Sequence, residues 1–183
     1  NENGTIVKMA NGSFDKYSGV EGWDARYSNV YRIDDVTFGF EAAKDYASIN
    51  KWYYLNFRPD WKRKLYYDGT SNVLDATKTA INNADKDAYT WAFIGNPFDG
   101  YKIVNKRAGE DKCLNAASNG AIVGTDEHLF TLTVSSHSNS DGVKGFYMAS
   151  KNGAKTDRFN LQGGKVVYWS DADMGSTFYV ELR

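Results

Sequence analysis

The sequence predicts an all-β protein, and two observations carry this prediction. From Trp52 onward, short runs of β-branched and aromatic residues alternate with turn clusters rich in Gly, Asn and Asp. In the same region, a pattern of four short segments occurs three times. Copies measured from Leu55 to Ile103 to Met148 are spaced by 48 and 45 residues. Three imperfect copies of four short strands are typical of a β-trefoil.

The four segments of each copy have recognisable residue types. The opening strand alternates aromatic and aliphatic residues, and the three opening strands are predicted over 53–57, 101–105 and 146–150. The second segments centre on Leu65, Leu114 and Leu161. The third segments hold a Val, Ile or Leu pair, at 73–74, 122–123 and 166–167. The closing strands are predicted over 89–93, 128–132 and 176–180.

Equivalent apolar positions in the three copies predict the core. A single copy is too small to bury its own apolar face, so three copies must pack around a common axis. The residues expected in that shared core are Trp91, Phe130, Phe178, Leu55, Ile103 and Met148.

Residues 1–50 do not fit the repeat. Two strand-like runs, 30–33 and 36–40, are separated by the turn pair Asp34-Asp35 and indicate a possible hairpin. Residues 41–49 are compatible with one or two helical turns. We expect 1–50 to be a short N-terminal extension packed on a β-trefoil domain at 52–183, or the tail of a preceding domain.

The composition excludes several functional classes. A net charge of −1 argues against nucleic-acid binding, and no apolar run approaches the length needed for membrane insertion. Cys113 is the only cysteine, so neither an internal disulfide nor a Cys-rich zinc site is expected, and nothing indicates a cofactor. His128 and His137 have no Ser or Cys nearby in a nucleophile context, and no pair of carboxylates stands out, so no enzyme is expected. The start at Asn1 fits a processed mature chain or an excised module.

The second copy resembles a repeat of the ricin B-type lectins. Its segment 101–109, followed by Lys112-Cys113-Leu114-Asn115, has the tyrosine, aliphatic, asparagine, small-residue turn and Leu-Asp-like pair of that family. The resemblance covers 52–183. It implies a β-trefoil and a non-catalytic carbohydrate-binding module, similar to divergent modules of secreted polysaccharide-degrading enzymes and bacterial surface proteins. The same resemblance implies a glycan ligand and a secreted, periplasmic or cell-surface location. It also implies contacts with other domains of a larger parent protein. The family's Gln-x-Trp signature is absent, since the closing strands have Tyr89-x-Trp91, His128-x-Phe130 and Ser176-x-Phe178.

The resemblance also implies a site in the third copy. In the family, a sugar ring stacks on an aromatic side chain at the end of the third strand, while nearby polar groups bind its hydroxyls. Only the third copy has an aromatic residue there, because the first two have Ala76 and 124–125. The family's acidic position falls on Gln162, close to Asn160. The expected carbohydrate-binding residues are Trp169, Tyr168, Asp171, Asp173, Gln162 and Asn160.

Other interpretations of these residues remain open. Trp169 could cover the side of the barrel, and Asp171 and Asp173 are also typical of Asx turns. The run 171–175 resembles a calcium loop but lacks its third acid and final glutamate, so no metal is expected. Trp61, surrounded by cations, is a second candidate that would suit an anionic glycan. For the whole chain, the alternative is a β-trefoil used for protein–protein interaction, as an adhesin or spacer without sugar binding.

Overall fold

The computed structural model of the protein describes residues 38–58, 62–70, 72–117, 119–138, 144–151 and 158–183. Within these ranges the chain forms strands and three short 3₁₀ helices, at Tyr46–Ser48, Asn83–Tyr89 and Met174–Ser176. The strands are β1 Tyr53–Phe57, β2 Arg63–Tyr66, β3 Asp75–Lys78, β4 Thr90–Asn96, β5 Gly100–Asn105, β6 Cys113–Ala117, β7 Gly120–Gly124, β8 Phe130–Ser138, β9 Lys144–Ser150, β10 Arg158–Gln162, β11 Lys165–Trp169 and β12 Phe178–Leu182. The predicted all-β class is confirmed.

Six of these strands close into a ring of antiparallel pairs. Around the ring, β1 pairs with β4, β4 with β5, β5 with β8, β8 with β9, β9 with β12 and β12 with β1. The remaining six strands form three hairpins, β2–β3, β6–β7 and β10–β11. A closed ring leaves its strands without free edges, which removes a route to edge-to-edge association.

The β10–β11 hairpin has a tight turn that fixes its register. Gln162 pairs with Lys165, so only Gly163 and Gly164 lie between the strands. Both glycines have positive φ, 58° and 85°. Two-residue hairpin turns of the type that matches strand twist require this conformation at both central positions, which favours glycine. The turn therefore determines which residues of β10 and β11 face each other.

The third strand of the first copy differs from its prediction. Strand β3 begins at Asp75, whereas the sequence pattern places it at 73–74. The Leu74 backbone serves the other hairpins instead, since its N–H donates to the Ala121 carbonyl at 2.8 Å and its carbonyl accepts from the Val166 N–H at 3.0 Å. Leu74 thus links all three hairpins through its backbone.

The predicted core is confirmed. Each of the six residues predicted from the repeat is 0% exposed. The indole of Trp91 also donates from Nε1 to the Leu65 carbonyl at 3.2 Å, which satisfies its polar atom inside the core.

The residues just before β1, from Phe38 to Ala43, contribute to the same core. Phe40 is 2% exposed and stacks on Phe93 with ring centroids 3.8 Å apart. Ala43 forms a parallel bridge to β4, donating to the Phe93 carbonyl at 2.8 Å and accepting from the Gly95 N–H at 3.0 Å. Of the predicted hairpin, only 38–40 lies in the described residues, where Phe38 and Gly39 form a turn and no strand is present. The predicted helical turn corresponds to Tyr46–Ser48, which the Asp45 side chain caps.

The pH dependence of stability is expected to involve His128. This side chain is 6% exposed, its Nε2 lies 2.6 Å from Ser150 Oγ, and burial lowers its pKa below 6.5. Because the folded pKa is below the unfolded one, the stabilisation is complete above pH 6.5 and is lost as the pH falls through the folded pKa. In urea titrations, wild type should therefore lose stability more steeply below pH 6.5 than His128→Gln. Parallel curves for the two proteins would contradict this assignment.

Candidate functional site

Trp169 lies at the end of β11 and faces away from the core. It pairs with Arg158 across the β10–β11 hairpin, and side chains alternate between the two faces of a strand. Val166, three residues earlier, is 0% exposed and lies on the core face, whereas Trp169 is 36% exposed. Its indole is therefore available to solvent, as stacking against a ligand requires.

Tyr168 occupies the opposite face. Its ring packs on that of Phe159 with centroids 5.5 Å apart, and it lies against the main core. The sequence placed Tyr168 and Trp169 in one site because they are adjacent, but strand alternation separates their side chains. Tyr168 therefore supports the strand from the core face and does not share the exposed surface of Trp169.

Arg158 is a residue of this region that the sequence did not indicate. Its guanidinium lies over the Tyr147 ring, 5.4 Å from the centroid, and donates to the Ser170 carbonyl at 3.1 Å. The Tyr147 hydroxyl donates to the Ala172 carbonyl at 3.3 Å. Together these contacts hold the turn after Trp169 against β9 and β10. The hairpin register, once fixed by the glycine turn, is the signal that would have identified Arg158.

Asp171 lies on this turn and is exposed. Its carboxylate accepts one long hydrogen bond, 3.4 Å from Ser170 Oγ, while its backbone carbonyl accepts from Ser176 Oγ at 3.0 Å. The backbone of Asp171 is therefore fixed, and its carboxylate keeps most of its acceptor capacity for a ligand.

Asp173 and Asn160 have a structural role. Asp173 caps the 3₁₀ helix Met174–Ser176, accepting from the Ser176 N–H at 2.9 Å and from Asn160 Nδ2 at 2.8 Å. Asn160 is 5% exposed, and its Nδ2 also lies 3.0 Å from Ser176 Oγ. Asn115 of the second copy, at the same place in its hairpin, likewise bonds to the following turn, through the Asp126 carbonyl at 3.0 Å. These contacts fix the turn on which Asp171 lies.

Gln162 does not lie beside Trp169. It is exposed next to the glycine turn and pairs with Lys165, at the end of the hairpin opposite the Arg158–Trp169 pair. The two pairs lie four residue steps apart along the strand, a distance of about 13 Å. The structure thus pairs Arg158 with Trp169, and Asn160 and Asp173 fix the following turn that carries Asp171, without Gln162.

The structural role of Asn160 has a testable consequence. Asn160→Ala would leave the Asp173 carboxylate without one of its buried donors, so we expect it to lower the free energy of unfolding by about 1–3 kcal/mol. Gln162→Ala, on the same strand but exposed, is the matched control and should change it by less than about 0.5 kcal/mol. Urea unfolding of both variants measures the difference. Equal stability of the two would contradict this role for Asn160.

The other positions that the sequence suggested as binding or metal sites give no second candidate among the described residues. Ala76 of the first copy is 1% exposed, and neither it nor Gly124 of the second offers a stacking surface. Trp61 lies outside the described residues. Within the described part of the chain, no three His, Cys, Asp or Glu side chains are grouped to hold a metal ion. None of the helices in this part has the length and apolar character that a membrane crossing requires.

Comparison with known proteins gives a similarity in fold. Neither a family model nor a curated protein matches the chain. Among solved structures, SeviL bound to asialo-GM1 saccharide, a β-trefoil lectin, has 14% sequence identity and a TM-score of 0.53 over 72% of this chain and 96% of its own. The designed 3-fold symmetric protein ThreeFoil also has 14% identity, with a TM-score of 0.45 over 70% of this chain and 96% of its own, too low to support an argument. The described chain therefore has an all-β fold similar to that of a β-trefoil lectin.

Proposed function

We propose that the chain is a non-catalytic carbohydrate-binding module with its site at the Trp169 end of the β10–β11 hairpin. The observation that carries this proposal is a 36% exposed tryptophan that is followed, two residues later, by an exposed carboxylate on a fixed turn. The apolar C–H face of a sugar ring suits an exposed indole, and its hydroxyls need directional polar partners such as Asp171. The Arg158 guanidinium adds N–H donors at the same edge.

The proposed architecture is one β-trefoil over 52–183 with three four-strand copies, β1–β4, β5–β8 and β9–β12. It is supported by the recurrence of one pairing scheme, in which the first and last strands of each copy pair with each other and the middle two form a hairpin. The solved structure of SeviL contains a bound saccharide. At 14% identity this likeness concerns the fold, so the proposal of glycan binding depends on the Trp169 site.

The non-catalytic character is supported by the hydrogen bonds of the carboxylates on the turn after Trp169. Glycosidases of the common type need two carboxylates across a cleft, one to donate a proton and one to attack or activate water. Asp171 and Asp173 are the two candidates here. Asp173 is engaged as a cap by Ser176 and Asn160, so it is not placed to act as the second group.

A docking role fits a solvent-exposed site such as the one at Trp169. One such site is expected to bind weakly, and attachment of several modules or of a parent protein to a multivalent glycan surface raises avidity. We therefore propose that the module docks a secreted, periplasmic or surface-attached bacterial protein onto glycans.

The test is retention on an array of oligosaccharides of neutral, amine-bearing and carboxylate-bearing classes. Wild-type protein should bind at least one class, and Trp169→Ala should weaken that binding at least tenfold. Absence of binding to all classes would contradict the proposal.

A further inference from the structure

A second concave surface lies between the N-terminal extension and the β4–β5 hairpin. Its volume is about 460 Å³, within the range of small-molecule sites. Lys44 and Tyr46 of the extension line it, together with Gly95 and Asn96 of β4. This cleft is distinct from the Trp169 site, and it exists because the extension is bonded to β4 through Ala43.

Both segments that contribute these lining residues are held in place. The Asp45 carboxylate accepts from the Ser48 N–H at 2.8 Å, which fixes the turn that carries Tyr46. At the end of β4, Asn96 Oδ1 accepts from the N–H groups of Phe98 and Asp99, both at 2.9 Å. A preformed cleft loses less conformational freedom on binding than a mobile one.

The lining combines apolar side chains with charged ones. Ile94, Leu129 and the half-buried Tyr46 supply apolar surface. Two carboxylates, Glu110 and Glu127, are exposed at the cleft. This combination suits a ligand with an apolar face and many hydroxyls.

Of the six charged side chains that line the cleft, two have hydrogen-bond partners and four have none among the described residues. Asp45 and Asp99 are used, as a helix cap and as an acceptor from Asn96 Nδ2 at 2.8 Å. In contrast, Lys44, Lys102, Glu110 and Glu127 make no ion pair or side-chain hydrogen bond within the part of the chain that the structure describes. Cationic donors and anionic acceptors thus line the same cleft without forming ion pairs with each other.

We propose that this cleft is a second ligand site, for an uncharged saccharide. Hydroxyl groups both donate and accept, so they can bind the free lysines and the free carboxylates at once. Two lysines against four carboxylates, Asp45, Asp99, Glu110 and Glu127, leave the lining with a net charge of −2, which disfavours carboxylate-bearing glycans. The choice of a saccharide rests on the proposed function, whereas the site itself is independent of Trp169.

The experiment uses the full chain carrying Trp169→Ala, which removes the first site, on the same oligosaccharide array. We expect residual binding to neutral oligosaccharides that exceeds binding to carboxylate-bearing ones. Adding Glu110→Gln and Glu127→Gln should weaken the residual binding about tenfold or more, because charged acceptors are lost without a change in shape. Asp111→Asn, adjacent in sequence but outside the cleft lining, is the matched control and should leave it unchanged.

The outcomes separate the two sites. Loss of all binding in Trp169→Ala, or residual binding that is insensitive to the double glutamate change, overturns the cleft proposal and leaves the Trp169 site intact. A third outcome is that Trp169→Ala leaves binding at the wild-type level, whereas Glu110→Gln and Glu127→Gln in the otherwise wild-type chain remove it. This outcome supports the cleft and overturns the Trp169 site. Absence of binding in every protein overturns both. A melting temperature of the double variant equal to that of Asp111→Asn verifies that folding is unaffected.

Discussion

Phe40→Ala is expected to lower the free energy of unfolding by about 3–5 kcal/mol. The residue is 2% exposed, stacks on Phe93 at 3.8 Å, and makes edge contacts with Tyr101 at 5.4 Å and Phe146 at 6.3 Å. Removing its ring would leave a cavity bounded by closely packed aromatic side chains from β4, β5 and β9. Urea unfolding, followed by near-ultraviolet circular dichroism, measures the loss.

Phe98→Ala is the matched control for this prediction. Phe98 is 50% exposed in the β4–β5 turn, so its removal should change the free energy of unfolding by less than about 0.5 kcal/mol. Equal effects of the two substitutions would contradict the placement of the extension in the core. By the same reasoning, a chain that begins at Trp52 lacks Phe38 and Phe40 and should unfold at a lower urea concentration than the full chain.

Trp169→Ala is expected to weaken glycan binding strongly and to leave stability nearly unchanged. Stacking on the indole is the main apolar contact that the proposed site offers, so its removal should weaken binding at least tenfold. Because the side chain is 36% exposed at a strand end, the free energy of unfolding should fall by less than about 1 kcal/mol. Array binding and thermal melting of the same preparations measure the two quantities.

Two control substitutions sharpen this prediction. Trp169→Phe keeps an aromatic face and should retain part of the binding, while Asp171→Asn tests the proposed acceptor without changing its shape. A stability loss of about 3 kcal/mol or more in Trp169→Ala would identify Trp169 as part of the core. Unchanged stability with unchanged binding would remove support for this site and favour the cleft at Tyr46, Trp61 or a role in protein–protein contact.

The fold could be predicted from sequence because its core repeats. Leu55, Ile103 and Met148 recur at nearly equal spacing, and burial of equivalent positions around a shared axis explains the recurrence. Phe40 follows no such period, since it belongs to a segment that occurs once. Its burial depends on a tertiary contact with Phe93 that no local pattern reports.

The candidate site could be predicted only in part. An aromatic residue at the end of a strand was sufficient to single out Trp169. Its neighbours, however, depend on how β10 and β11 pair. Gln162 is separated from it by the length of the hairpin, and Arg158 is placed opposite it. The capping role of Asp173 depends on Asn160 from another strand, so the sequence alone could not distinguish a structural acid from a free one.

The central claim is that a glycan binds on the exposed face of Trp169. The most direct measurement is a titration of isotope-labelled protein with an oligosaccharide that binds on the array, observed through the indole N–H resonances of its five tryptophans. Comparison with spectra of Trp169→Phe and Trp91→Phe assigns the two relevant resonances. We expect the Trp169 resonance to shift saturably while that of Trp91, 0% exposed and bonded to the Leu65 carbonyl, stays in place. A Trp169 resonance that does not move at saturating oligosaccharide would contradict the account.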